Sequence, residues 1–226
     1  MNSKLLFVLV CMASFVLNAS AQFSNSGSSG TNTVRDNTGW TTIYVEWNPS
    51  SFHGGGGYRN YNNGEGKGST GFNGFSLGVS RAISLATATP IFIEPAVALQ
   101  YSTKKEGYVV YDYDVFNASA WLHMLSVKAP VNFMYKYDFP SHPVSLMPFA
   151  GITLRVNAWG VVNDDGDHDD LFDEYEFKRF QIGWQVGLKA KISEKFIVGG
   201  SFGTDFNEIH DRVKVHTGTI MFGYSF

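Results

Sequence analysis

Residues 177–191, FKRFQIGWQVGLKAK, decide the reading of the fold. Phe180, Ile182, Trp184, Val186, Leu188 and Ala190 fall on alternate positions, and Arg179, Gln181, Gly183, Gln185, Gly187, Lys189 and Lys191 fall between them. Successive side chains of a strand point to opposite faces, so this stretch is a two-faced strand with one face unbroken and apolar. A soluble sandwich would bury that face and cover the other with solvated Lys, Glu and Asp. A small membrane barrel would do the reverse, turning the apolar face outward and packing the other into its lumen.

The same alternation recurs along the chain. Ile43, Val45 and Trp47 oppose Tyr44 and Glu46, and Phe75, Leu77 and Val79 oppose Gly74, Ser76, Gly78 and Ser80. Ile91, Ile93, Val97 and Leu99 oppose Glu94 and Gln100, and Leu125, Val127, Val131 and Phe133 oppose Ser126, Lys128 and Asn132. Ile152, Leu154 and Val156 oppose Thr153, Arg155 and Asn157, and Phe196, Val198 and Phe202 oppose Ser201, Gly203 and Asp205. The terminal HTGTIMFGYSF sets Ile220, Phe222, Tyr224 and Phe226 against Thr219, Met221, Gly223 and Ser225. With residues 177–191, these segments predict eight strands. Their second faces are rich in Gly, Ser, Thr, Asn and Gln, with isolated charges of both signs, which suits a lumen with room only for side chains.

Connections alternate in length. Short links are expected near residues 84–90, 138–144 and 192–195, and longer ones near 48–70, 102–116, 161–176 and 207–212. That asymmetry predicts an all-β, antiparallel, eight-stranded up-and-down transmembrane barrel with extracellular loops, periplasmic turns and both termini periplasmic. Trp47, Tyr101, Trp121 and Trp159 near the long-loop end, and Trp40, Tyr137, Phe196 and Phe226 near the short-turn end, are expected to form two interfacial girdles. Pro95, Pro130 and Pro148 lie inside these strands, where a missing N–H predicts bulges or breaks in the ladder. Two strands within residues 108–116 would raise the count to ten.

Lys4, the apolar run from Leu5 to Leu17 and Ala19-Ser20-Ala21 read as a secretory signal covering residues 1–21. Cys11, the only cysteine, lies within it, so the exported part has no disulfide framework and no thiolate metal site. Residues 22–39, QFSNSGSSGTNTVRDNTG, are too poor in apolar side chains to fold alone and read as a flexible periplasmic lead-in to a barrel over 40–226. With 17 basic against 20 acidic residues, the chain has no basic balance to suggest a nucleic-acid partner.

The terminal TGTIMFGYSF, the LSVKAPVNFMYKYDF strand and the MPFAGITLRVNAW strand together resemble the small outer-membrane β-barrel proteins of gram-negative bacteria. The resemblance is nearest to PorT-like proteins and extends more distantly to the OmpX and OmpA barrels. It implies a bacterial outer-membrane location among lipid and lipopolysaccharide, and a terminal signal at Phe222, Tyr224 and Phe226 read by the barrel-assembly machinery. It also implies a role accessory to protein secretion, or contact with a surface partner, as a narrower function.

The candidate chemistry is sparse. Some small barrels act on lipids through a His two residues before a Ser, and none of the six histidines here has that spacing. Ser51 and His53 occur in the reverse order, and His123, His210 and His216 read as polar residues at strand ends. No catalytic residues and no cofactor are expected, and a lipid-modifying enzyme built from loop His, Asp and Ser stands third, after the plugged barrel and the pore. Asp165, Asp167, Asp169 and Asp170 in the acidic run NDDGDHDDLFDEYE form a weak calcium candidate, because aligning Gly166 with the fixed glycine of an EF-hand puts Val161 and Phe172 at ligand positions. GEGKGST lacks the spacing of a phosphate-binding loop. The informative group is Glu46, Glu94 and Asp205 with Lys128, Arg155, Arg179 and Lys189, all expected to face the lumen. Buried ions require partners, so these predict a salt-bridged plug, with a narrow gated pore as the alternative.

Overall fold

The computed structural model describes residues 39–54, 70–86, 89–105, 110–111, 114–115, 121–140, 142–164, 167–174, 176–210 and 213–226. The expected signal peptide, the lead-in up to residue 38, the GEGKG segment and Asp165 lie outside them.

Eight strands build the wall: β1 (Trp40–Gly54), β2 (Thr70–Ala86), β3 (Thr89–Lys105), β4 (Trp121–Tyr135), β5 (Val144–Asp164), β6 (Phe180–Ile192), β7 (Phe196–Asp205) and β8 (Val213–Ser225). Each pairs antiparallel with the next, and β8 returns to pair with β1 from Thr42↔Ser225 to Gly54↔Val213. At the seam the Phe226 N–H donates to the Thr41 carbonyl at 2.9 Å, and the Thr41 N–H to the Phe226 carbonyl at 3.0 Å. Closure matters because an unpaired backbone group in hydrocarbon costs several kcal/mol. The ten-strand alternative gives way to eight. Val110–Tyr111 and Asp114–Val115 pair only with each other, while Tyr137–Asp138 and Asp167–Asp170 add short pieces to β5.

The alternation sorts side chains as the pattern requires. Phe75, Leu77, Ile220, Phe222 and Phe133 are exposed on the outer surface, and Ser76, Ser80, Asn132 and Met221 are buried inside. Besides register shifts at Pro49/Ser51 and Ser84/Ala86, two irregularities adjust the wall. Opposite Leu125–Ser126 the partner of β4 steps from Trp159 to Asn157, so Ala158 is an extra residue on β5. That bulge reverses the alternation, leaving Trp159 outside and turning Gly160 and Val162 inward. Around Pro95 and Pro130 pairing lapses between Pro95↔Val131 and Ala98↔Lys128, and between Ser80↔Ala96 and Ile83↔Ile93, with the same register on both sides. Pro148 sits within an unbroken β5–β6 register and forces no bulge there.

The girdle reading needs one correction. Trp47, Tyr101, Trp121 and Trp159 at the long-loop end are on the outer surface, as are Tyr137, Phe196 and Phe226 at the other. Trp40 is buried inside the barrel instead, 6% exposed, because it shares the parity of Thr42 and Tyr44. Its ring packs against Phe92 with centroids 4.9 Å apart, and the Lys191 ammonium lies 4.4 Å from its centre.

Candidate functional site in the barrel lumen

The lumen is built in three layers. Across its middle run three ion pairs: Lys128 with Glu46, Lys189 with Glu94, and Arg155 with Asp205. Their strands are not neighbours. Lys128 reaches from β4 to β1, Lys189 from β6 to β3, and Arg155 from β5 to β7, so each pair bridges the interior rather than one rung of the ladder.

Neutral side chains complete the belt. Glu94 accepts hydrogen bonds from the Ser80 hydroxyl at 3.0 Å and from Asn132 Nδ2 at 3.1 Å, and Gln185 Nε2 donates to Asn132 Oδ1 at 2.6 Å. Asn48 donates to Ser76 at 2.7 Å and accepts from Thr219 at 3.0 Å. Further out, Ser126 donates to Asn157 at 2.7 Å, and Asn157 donates to Gln181 at 3.2 Å. Three cations meet three carboxylates, so the belt is charge-balanced. That balance is what burial demands, since an unpaired ion in such a site costs several kcal/mol. Among the described residues, small cavities of about 20 and 30 Å³ lie beside Tyr44, Glu94 and Lys189 and beside Lys128, Arg155 and Asp205. Each has room for about one or two water molecules.

Apolar caps lie on either side of the belt. Toward the short turns, Trp40, Phe92, Met134, Met147, Phe149 and Ile197 pack together, and the Lys189 ammonium lies 5.0 Å from the Phe149 ring centre. Gly78 makes this packing fit, because a Cβ there would come within 2.5 Å of the Tyr44 ring. Toward the long loops, Phe52, Phe72, Met124, Val162 and Val213 from the wall meet Leu171, Phe172 and Phe177 from the segment after Asp170.

Residues 171–174, 176 and 177 therefore fold over the long-loop mouth. The turn starts at Asp170, whose Oδ1 accepts the N–H groups of Phe172 at 2.8 Å and Asp173 at 3.2 Å. It ends at Glu176, in the left-handed region at φ 50°. Gly160 lets it close, since a Cβ there would sit 3.0 Å from Leu171.

Arg179 is placed outside the belt, correcting its assignment to the lumen network. Regular alternation starts at Phe180, one residue later, so the parity of β6 does not govern Arg179. The guanidinium instead lies over the Phe172 ring at 4.0 Å, with Asp173 at 3.9 Å and Asp170 at 4.0 Å, pinning the mouth cover from above. Among the calcium candidates, Asp169 and Asp170 are successive strand residues that point to opposite faces, and Asp170 is committed to the turn and to Arg179. No group of three or more metal-binding side chains forms among the described residues. Nearby, the charge of Asp169 raises the pKa of the exposed Glu174 carboxyl, with smaller contributions from desolvation, a hydrogen bond with Asp169, and the charges of Asp170 and Asp173.

His53, His123, His210 and His216 lie at the long-loop end, and His142 sits in the short turn before β5. His123 Nδ1 is 2.7 Å from the Tyr101 hydroxyl, and its ring stacks on Trp121. His53 and His216 meet edge to face on the outer wall, with centroids 5.0 Å apart. Ser51 lies opposite His216 across the β1–β8 ladder.

With a closed eight-stranded wall, apolar side chains outward and a balanced ionic belt inward, the chain matches the family model of the outer membrane protein beta-barrel domain over residues 7–226. The chain belongs to the outer membrane β-barrel domain family. No curated protein matches it. Among solved structures it is similar to Ail, the attachment invasion locus protein of Yersinia pestis, at 14% identity, covering 84% of this chain and 99% of that one with a TM-score of 0.49. It is also similar to Neisserial surface protein A, at 13% identity over 82% of this chain and 95% of that one with a TM-score of 0.42. The outer membrane enzyme PagL shows 12% identity over 80% of this chain and 97% of that one, with a TM-score of 0.45.

The caps and the mouth cover escaped the reading of the sequence. Phe52 and Phe72 flank a glycine-rich loop, and Leu171 and Phe172 interrupt an acidic run, so neither stood in a clear alternation. The signal available was the presence of large apolar residues inside otherwise polar connections.

Proposed function

We propose that this protein is a non-enzymatic outer-membrane barrel with a closed lumen, acting through its long-loop end in surface interaction or in the integrity of the membrane. The observation that carries this reading is the arrangement of three lumen-spanning ion pairs between two apolar caps. An ion crossing the barrel would have to separate those pairs and then pass both caps, and eight strands enclose little cross-section beyond their own side chains.

In this reading the long loops are extracellular, and the short turns and both termini are periplasmic. The membrane neighbours are lipid and lipopolysaccharide. The barrel-assembly machinery engages the terminal strand at Phe222, Tyr224 and Phe226, whose side chains are all exposed on the outer wall. A narrower version, an accessory of protein secretion, follows from the PorT-like resemblance, and unaffected cargo secretion in a deletion strain would remove it.

The alternative is a narrow gated pore. It is favoured by the polar belt, and it requires residues 171–177 to swing off the mouth. Solute efflux from liposomes tests the choice: potassium retained by vesicles containing folded barrel supports the closed lumen, and steady efflux supports the pore.

A further inference from the structure

Where β8 meets β1 at the long-loop end, the outer wall departs from its apolar character. Ser51 lies opposite His216, and His53 lies opposite Lys214, on two rungs of one antiparallel ladder. On the other side of β8, Thr204 lies opposite His216. These side chains share the outward face, because the residues between them, Phe52, Val213 and Val215, are buried inside. Two imidazoles, an ammonium and two hydroxyls are thus gathered over two rungs about 7 Å apart.

The charge of this cluster is one-sided. Among the described residues on this face none carries a carboxylate, and Lys214 has no ion-pair partner among the described residues. Asp205, next to Thr204 on β7, faces the lumen and pairs with Arg155, and Glu208 beyond it pairs with Lys178. Everything the cluster offers outward can donate a hydrogen bond, since an imidazole has one N–H when neutral and two when protonated.

The surface below is apolar. The Phe202 ring stacks on His216 with centroids 5.9 Å apart, and Trp47 and Ile220 continue the exposed wall toward the membrane centre. A ligand that fits must present acceptor oxygens and negative charge to the rim and hydrocarbon to the wall beneath.

We infer that Ser51, His53, Thr204, Lys214 and His216 form a binding site for the phosphate of a membrane-lipid headgroup, with the acyl chains lying along Phe202, Trp47 and Ile220. The two-part match selects a phospholipid or phosphorylated glycolipid over free phosphate, which would leave the apolar wall unused. The inference rests on the outer wall facing lipid and is independent of whether the lumen is closed.

The test uses native mass spectrometry of the purified, detergent-solubilised full barrel with diphosphoryl lipid A, with its dephosphorylated form, and with inorganic phosphate. Retention of diphosphoryl lipid A is expected, at least about tenfold weaker without the phosphates and in the His53→Ala/Lys214→Ala/His216→Ala variant. The milder His53→Gln/Lys214→Gln variant, checked for heat-modifiable migration, should also bind less. Equal retention of both lipid forms, or unchanged binding in folded variants, overturns the site. Displacement of the lipid by inorganic phosphate at comparable concentration overturns the lipid assignment. None of these outcomes bears on conductance, so failure here leaves the closed-lumen reading standing.

Discussion

Lys189 on β6 and Glu94 on β3 form an ion pair across the lumen, with β4 and β5 between their strands on one side of the ring. Glu94 is 2% exposed and also accepts hydrogen bonds from Ser80 and Asn132. The pair ties opposite walls together, so its loss acts on the whole barrel. Lys189→Ala leaves a buried carboxylate without its cation and is expected to destabilise the folded state by about 3–5 kcal/mol. Replacing both partners, as Lys189→Met with Glu94→Leu, should recover most of that loss. Urea unfolding in detergent, followed by tryptophan emission, measures both variants. Equal stability of the single variant and wild type would contradict the role given to this pair.

Trp40 and Trp47 lie seven residues apart on β1 and face opposite sides of the wall. Single-tryptophan forms should separate them. Brominated lipids are expected to quench Trp47 strongly and Trp40 weakly. Trp40→Ala removes a buried ring from the inner cap and should cost about 3–5 kcal/mol, and Trp47→Ala considerably less. Comparable quenching of the two would place Trp40 in the membrane girdle after all.

Gly160 controls the mouth cover. Gly160→Val would press on Leu171 and Phe172, which a Cβ at this position already approaches to 3.0 and 3.1 Å. The expected result is faster proteolytic cleavage within residues 171–177, with the wall left resistant. Arg179→Ala should act in the same direction and more weakly, since Arg179 and its carboxylate partners Asp170 and Asp173 are exposed. Wild-type cleavage kinetics in Gly160→Val would mean the segment is not held by this contact.

Phe226 has two separable roles. Its backbone closes the seam with Thr41, and its ring is 68% exposed on the outer wall. Phe226→Ala keeps the backbone bonds and removes the ring, so it should refold in detergent like wild type and reach lower outer-membrane levels in cells. Deletion of Phe226 should impair both. Wild-type outer-membrane levels of the deletion form would rule out a terminal assembly signal.

Much of this architecture was legible in the residues. Period-2 alternation assigns Glu46, Glu94, Lys128, Arg155, Lys189 and Asp205 to one face, because a regular strand leaves a side chain no other choice. The contrast of short and long connections implies the up-and-down order. Where alternation stops, the reading weakens. Extending the parity of β6 past its first residue puts Arg179 in the lumen, and residue type puts Trp40 in a girdle although its parity with Tyr44 points inward. The partner of each lumen charge depends on strand tilt and stagger, which set who meets whom across a closed barrel and leave no mark in any one strand. The mouth cover depends on a bulge at Ala158 that turns Gly160 and Val162 inward, a shift of one residue that pattern alone does not reveal.

The closed lumen is the central claim, and single-channel recording of the purified barrel in a planar bilayer tests it most directly. Wild type is expected to be silent across the voltage range. Arg155→Ala, which removes one of the three belt cations while both caps remain, should be silent as well or show only brief, irregular events. Stable openings of reproducible size in wild type, altered by Arg155→Ala, would contradict the closed lumen and make the belt the lining of a pore.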